Sequence, residues 1–427
     1  MSGVDIKTEA LQRAKEELEK RLNRTLAVSA SNLCTHCGWC IDTCHYYKAT
    51  KDPHISPVAK AEKVRRIYKK EHDWLSKVFP KWTGAKELTE KDLDELVEVA
   101  YRNCTMCQRC TVNCPLAVDT AQILGAARAA LNAAGKSPEI LVQLADAAIA
   151  REESMDFFKE FYLEQIAELE KEVQERLGNP SAKIPMEVQG ARFLYVPLAG
   201  AHTIVPPAIV FNAMGESWTM SMFDAANYGV YLNDRERSKK IADRIVKEAT
   251  RLGVQEVIVA ECGHAYVTLR WEAPTWFDKP WPFKVRSLVE VIDEYVREGK
   301  LHLSPDLVKE PLTYHDSCNL GRNGGMFEAP RRVLAGVATD FRDMNPNREQ
   351  NLCCGAGGGL IAMEEWRDMR LTAGKPKADQ IKATGAKVVI ASCDNCRHQL
   401  NELNEHYDLG VQVFGVAELV ANALTKE

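Results

Sequence analysis

The sequence predicts an α+β protein: a helical, cysteine-rich first part followed by a duplicated α/β region. Three observations carry that prediction. Eight of the fourteen cysteines fall between residues 28 and 135, in two sets among charged, helical stretches. After residue 190 the chain changes to short apolar runs bounded by turn residues, RFLYVPLAG, VQEVIVAEC, PLTYHDSC and AKVVIASC, with helical patterns such as 237–252 and 375–385 between them. Strands alternating with helices build parallel α/β layers. That second region also repeats itself. ADRIVKEATRLGVQEVIVAEC (242–262) lines up with KADQIKATGAKVVIASC (377–393), and Tyr195, Gly229 and Cys262 pair with Tyr314, Gly355 and Cys393.

Five segments follow in chain order. Residues 1–27 hold an amphipathic helix over 5–27, with Leu11, Leu18 and Leu22 at helical spacing amid charges; a solvated helix and a partner-binding arm both fit. Residues 28–135 hold the two cysteine sets. Residues 136–189 read as a helical linker rich in Glu and Ala, closed by GNPSAKIP. Residues 190–310 and 311–427 are the two α/β halves. Net charge is −5, so the chain has no basic footprint for nucleic acid. No apolar run reaches the ~18–20 residues needed to span a bilayer. The first residues lack a signal-peptide core, and the expectation is a cytoplasmic protein.

Cys34, Cys37, Cys40 and Cys44 form one set, and Cys104, Cys107, Cys110 and Cys114, followed by Pro115, form the other. Both read C-x2-C-x2-C-x3-C, the bacterial ferredoxin run. Three thiolates two residues apart wrap one cluster, and the fourth reaches the other. The expected assignment is therefore crossed, with Cys34, Cys37, Cys40 and Cys114 on one [4Fe–4S] cubane and Cys104, Cys107, Cys110 and Cys44 on a second. Zinc is the competing reading; it prefers two C-x2-C hooks and needs no third evenly spaced cysteine. His36 and His45 sit within or beside the first set and either tune the cluster or pack against it.

Five of the remaining cysteines, Cys318, Cys353, Cys354, Cys393 and Cys396, read C-x34-CCG-x37-C-x2-C. This pattern resembles the CCG motif of heterodisulfide reductase catalytic subunits. The resemblance implies that these five thiolates hold one non-cubane [4Fe–4S] cluster that cleaves disulfides. Gly355, Gly357, Gly358 and Gly359 let the backbone approach such a cluster. In the first half Ala199, Asn227, Tyr228 and Ala265 stand where Cys318, Cys353, Cys354 and Cys396 do. That half keeps only Cys262, either a buried relic or a thiol that touches substrate. The fold class is thus a helical two-cluster ferredoxin domain followed by a duplicated CCG-domain region.

Over residues 28–420 the chain resembles the D-type heterodisulfide reductase subunit. Its single intact motif is similar to the K-type subunit of the sulfite-reductase-linked (Dsr) membrane complex and its relatives in sulfate reducers. What that resemblance implies is a cytoplasmic, peripheral iron–sulfur oxidoreductase of sulfur metabolism. Its partners would be a haem b membrane subunit linked to quinone, other complex subunits, and a small protein substrate with a carboxy-terminal cysteine pair. His315, Asp316, Arg322 and His398 lie near the motif and serve either proton delivery or second-layer hydrogen bonding. WEAPTWFDKPWPF (271–283) is either core and lid or a docking surface. The 5–27 helix and the 48–82 stretch are candidates for meeting the membrane partner. A rival resemblance, to iron–sulfur subunits of glycerol-3-phosphate dehydrogenase and glycolate oxidase, implies a relay between a flavin partner and quinone. A zinc scaffold is the non-enzymatic rival.

Overall fold

The computed structural model describes residues 6–22, 33–153 and 155–425. They form two compact units that do not follow chain order. The first comprises Met1–Leu144, Tyr228–Arg235 and Leu352–Lys377; the second comprises Ala145–Asn227, Glu236–Asn351 and Ala378–Glu427.

The first unit is helical among its described residues. The amino-terminal helix runs over Ile6–Arg21 and buries Ala14 and Leu18, with Leu22 just beyond, as it packs on helix Thr120–Ala133. Residue 5 and residues 23–27 of the expected helix lie outside the described residues. Asp119 starts Thr120–Ala133 by accepting from the Gln122 N–H at 3.0 Å, the usual N-cap arrangement. Five of its six alanines and Gly125 are buried, so neighbours come close on several sides. Helix Pro57–His72 packs on it as well, through a face that buries Ala61, Val64 and Ile67. Proline sits at that helix's first position, where a missing N–H costs nothing. No helix among the described residues is long and apolar enough to cross a membrane.

The second unit holds both sheets. Strands β1 (Phe193–Val196), β2 (Trp218–Met220), β3 (Glu256–Val259) and β4 (Lys284–Ser287) are all parallel, in the order β2-β1-β3-β4. Strands β5 (Leu312–Tyr314), β6 (Val388–Ile390) and β7 (Gln412–Phe414) follow in the order β5-β6-β7, again parallel. The duplication read from sequence is therefore present in topology: β1-β3-β4 and β5-β6-β7 repeat one arrangement. The position of β2 is reduced in the second half to a single parallel bridge between Leu312 and Phe341. Strands such as FLYV are buried along their whole length, which is why they read as continuous apolar runs rather than alternating ones.

The halves share one core and are tied at matching points. The Asp394 N–H donates to the Glu261 carbonyl at 2.9 Å. The Glu261 carboxylate accepts from the Val416 and Ala417 N–H groups at 2.8 and 3.2 Å, at the start of helix Val416–Leu424, where a helix presents unpaired donors.

Candidate functional site

The two ferredoxin-type loops share the positions of their left-handed residues. His36 and Gly38 have φ of 54° and 80°, and Met106 and Gln108 have φ of 57° and 60°. Left-handed conformations at the second and fourth positions after the leading cysteine turn successive N–H groups toward one centre. Three of these four residues are not glycine, so the conformation is imposed at a cost of roughly 1–3 kcal/mol each. One cavity is lined by Cys34, Cys37, Cys40 and Cys114, and the other by Cys104, Cys107, Cys110 and Cys44. The fourth cysteine of each set thus sits with the other set. The matching sets of four thiols suit two copies of one group. Cys37 is exposed, whereas Cys44 is buried, so the first cavity is at the surface and the second lies deeper.

Cys353 belongs to the same helical unit and lies at the second cavity. The sulfurs of Cys353 and Cys107 and a ring nitrogen of His45 are within 4.8 Å of one another. The Cys353 sulfur also meets the Thr105 hydroxyl at 3.4 Å and accepts from the Gly355 N–H at 3.4 Å. Backbone closeness explains the glycine run. A Cβ on Gly357 would stand 2.8 Å from the Thr105 carbonyl oxygen, and Gly358 has φ of 67° with the Arg128 guanidinium 2.9 Å from such a Cβ. Arg128 is buried over the Tyr101 ring and donates to the carbonyls of Ala100, Cys104, Tyr231 and Gly358 at 2.7–3.0 Å. Lys60 is buried too, donates to the Asn103 carbonyl at 2.7 Å and lies 3.8 Å from the Cys44 sulfur. Burial works against its charge, but Cys44, Cys104, Cys110 and Cys107 together hold its pKa above the ordinary value.

His45 stands where the second set has Pro115, directly after the fourth cysteine. It is buried, and neither ring nitrogen has a hydrogen-bond partner among the described residues. A buried donor left unpaired by protein calls for a partner, and a cluster held beside it by Cys107 would supply sulfur as the acceptor. N–H···S bonds favour the more negative, reduced state of a cluster. His45→Leu is therefore expected to lower the midpoint potential of one cubane and leave the other unchanged, at constant iron content. His45→Gln, which keeps an N–H, should restore most of the shift. Equal potentials in all three proteins would mean the ring only fills space.

Cys318, Cys393 and Cys396 lie in the α/β unit, each just beyond a strand. Cys318 opens the turn Cys318–Asn323 after β5, Cys393 caps helix Asp394–Tyr407 after β6, and Cys396 is in that helix's first turn. The carboxyl ends of parallel strands are where such sheets place ligands. Asp316 is structural: its carboxylate takes both ends of the Arg331 guanidinium at 2.8 Å and the Arg348 N–H at 2.8 Å. Arg322 donates to the carbonyls of Glu349 and Asn351, fixing the backbone that leads to Cys353. His398 is exposed, 3.7 Å from Asp394, whose carboxylate also meets His202 at 2.8 Å. In the 271–283 segment Trp276, Phe277 and Trp281 pack on the core and Trp271 alone of the tryptophans stands open.

In the degenerate half, Asn227 is buried and bonds the Ser238 carbonyl at 2.9 Å. Its N–H donates to His264 Nε2 at 3.4 Å, so Nδ1 carries the ring proton and faces the Cys262 sulfur at 3.1 Å. Burial pushes the Cys262 thiol well above its ordinary pKa, and Cys393 adds to the effect. Burial lowers His264 from 6.5 to about 4. Between those values the unfolded chain takes a proton that the folded chain refuses. The stabilisation is complete above pH 6.5 and is lost as pH falls, by about 1.4 kcal/mol per unit. The urea midpoint is expected to drop between pH 7 and pH 5, with a shallower slope in His264→Gln; parallel slopes would contradict this.

Residues 30–118 match the 4Fe-4S dicluster domain family, and residues 312–401 match the CCG cysteine-rich domain family. The chain is 28% identical to the Hdr-like menaquinol oxidoreductase iron-sulfur subunit 2 of Archaeoglobus fulgidus, over 97% of this chain and 82% of that one. The chain is similar to heterodisulfide-reductase-like iron–sulfur subunits. The D-type subunit of the dihydromethanophenazine:CoB–CoM heterodisulfide reductase of Methanosarcina mazei is 26% identical, over 92% of this chain and 94% of that one. The EtfAB:quinone oxidoreductase of Syntrophomonas wolfei is 30% identical over 40% of this chain and 24% of its own length. The dicluster match means two [4Fe–4S] cubanes in residues 30–118, and the two cavities, each lined by four cysteines, fit that group.

Sequence reasoning missed Arg128, Lys60 and Thr105. Lys60 lies among the charges of a helical pattern and is indistinguishable in sequence from a solvated face. A signal did exist for Arg128: it interrupts LGAARAAL, an otherwise apolar run.

Proposed function

We propose that this chain is the disulfide-reducing iron–sulfur subunit of a membrane-bound, quinone-linked complex. Cys34, Cys37, Cys40 and Cys114 hold one cubane, and Cys104, Cys107, Cys110 and Cys44 the other. Cys318, Cys353, Cys354, Cys393 and Cys396 hold a non-cubane [4Fe–4S] cluster. Bound clusters supply one-electron steps, which together split an S–S bond with two electrons and two protons into two thiols. The residues do the rest. The surface loop at Cys37 receives electrons, Lys60 offsets thiolate charge in a buried place, and Thr105 and the Gly355 N–H orient Cys353.

The observation that carries this reading is Cys353 within 4.8 Å of Cys107: the adjacent pair begins where the second cubane set ends. Within this class, the single intact motif favours a K-type role, on the cytoplasmic side of a haem b subunit, with a small protein disulfide or trisulfide as substrate. The test uses anaerobically purified holoprotein with reduced benzyl viologen and a disulfide. Viologen should be oxidised, with two thiols formed for each two electrons. Zinc in place of iron, or electron exchange that leaves the S–S bond intact, would defeat the reading. The latter outcome would favour a relay between a flavoprotein and quinone, a reading to which the partial match with EtfAB:quinone oxidoreductase gives some support.

A further inference from the structure

Four large apolar side chains stand in solvent between residues 74 and 82. Trp74 is 74% exposed, Val78 59%, Phe79 56% and Trp82 78%. Trp74, Val78 and Trp82 recur every fourth residue, along the short helices Trp74–Val78 and Pro80–Thr83 that meet at Phe79. The segment is not a loose loop. Asp73 caps it, accepting from the Leu75 N–H at 3.1 Å and the Ser76 hydroxyl at 2.7 Å, and Ser76 is buried. Arg66, on helix Pro57–His72, donates to the Gly84 carbonyl at 2.6 Å and pins the far end. The fold thus holds the aromatic side chains out.

The charges around them lean positive, with Lys70, Lys77 and Lys81 against Glu71 and Asp73. Lys70, Lys77 and Lys81 have no ion-pair partner among the described residues, whereas Glu71 is paired with Lys15 at 3.2 Å and Asp73 is used in capping. Tryptophan interleaved with lysine is the composition of a membrane interface; protein interfaces favour the aromatics but are depleted in lysine. We propose that residues 70–82 dock this chain directly on an anionic lipid surface, with Trp74, Phe79 and Trp82 in the headgroup layer and the three lysines on lipid phosphates. This deepens the membrane part of the proposed function and leaves its sulfur chemistry aside.

The test is co-sedimentation of the holoprotein with vesicles of phosphatidylcholine alone or mixed with phosphatidylglycerol. Wild type should bind the mixed vesicles, less so as salt rises. Each lysine near such a surface is worth about 1 kcal/mol. The combined Lys70→Glu, Lys77→Glu and Lys81→Glu variant should therefore bind at least roughly 100-fold more weakly. The Trp74→Ser, Trp82→Ser variant should also lose binding. Trp74, Lys77, Lys81 and Trp82 are exposed and Lys70 is half-buried, and none of them lines a four-cysteine cavity, so iron content and viologen-linked disulfide reduction should stay at wild-type levels, which separates failure here from failure of the sulfur chemistry. Wild type that ignores anionic vesicles, or variants that bind as it does, would overturn the proposal. Variants that keep vesicle binding but no longer co-purify with a membrane subunit would mark the surface as a protein interface and overturn it equally.

Discussion

Cys354→Ser is expected to keep the iron and sulfide of two cubanes and to lose those of the third cluster. Disulfide reduction should fall by at least about 100-fold, because changes one layer outside a metal site already cost 10–100-fold. The effect should be selective. Cys354 is buried and lies outside both four-cysteine cavities, so the reduced spectra of the cubanes should be unchanged. Cys262→Ser supplies the contrast. That thiol is buried beside a neutral histidine in the degenerate half, and its loss should leave all iron in place. Quantifying iron, sulfide and released thiols in the three proteins checks both expectations. Loss of cubane iron in Cys354→Ser, or full activity without the third cluster, would show that the adjacent pair has another role.

Arg128→Leu should be the most destabilising single change in the helical unit. The guanidinium serves four carbonyls on three segments of the chain: the stretch leading to the second cysteine set, Tyr231, and Gly358 in the glycine run. Leucine fills much of the space and strands all four acceptors. Each costs about 1–3 kcal/mol if it stays buried and unpaired. Allowing for relaxation, a loss of about 3–5 kcal/mol is expected, the range for removing one partner of a buried charged network, against a typical total stability of ~5–15 kcal/mol. Arg128→Lys should recover little, since one ammonium cannot reproduce the planar fork. Urea midpoints of the holoproteins, read with iron retention, measure this; an unchanged midpoint would mean the carbonyls find other donors.

Much of this architecture was legible because it is written locally. The evenly spaced cysteine sets force similar loops wherever they occur, and the structure gives both the same left-handed backbone positions. Fully buried parallel strands leave continuous apolar runs, so β1, β3, β5 and β6 stand where RFLYVPLAG, VQEVIVAEC, PLTYHDSC and AKVVIASC do. Helix Arg367–Thr384 begins well before the pattern at 375–385 and carries Pro376 inside it, where proline normally reads as a boundary. What depends on distant partners was not legible. Leu352–Lys377 reads as part of the second α/β half, yet it belongs to the helical unit, as does Tyr228–Arg235. These are matching points of the repeat, since Tyr228 is the counterpart of Cys354. No local periodicity marks such a detour, because it is set by contacts of Gly357, Gly358 and Tyr231 with Thr105 and Arg128, more than a hundred residues away.

The central claim is that the wire ends at Cys353 and Cys354 and that sulfur chemistry starts there. Electron paramagnetic resonance of the holoprotein given one electron equivalent of reductant, before and after adding a disulfide, tests it most directly. A signal should appear with the disulfide, broaden when the protein carries iron-57, and be absent in Cys354→Ser. A disulfide-induced signal that survives unchanged in that variant, or no signal from intact wild type, would contradict the account.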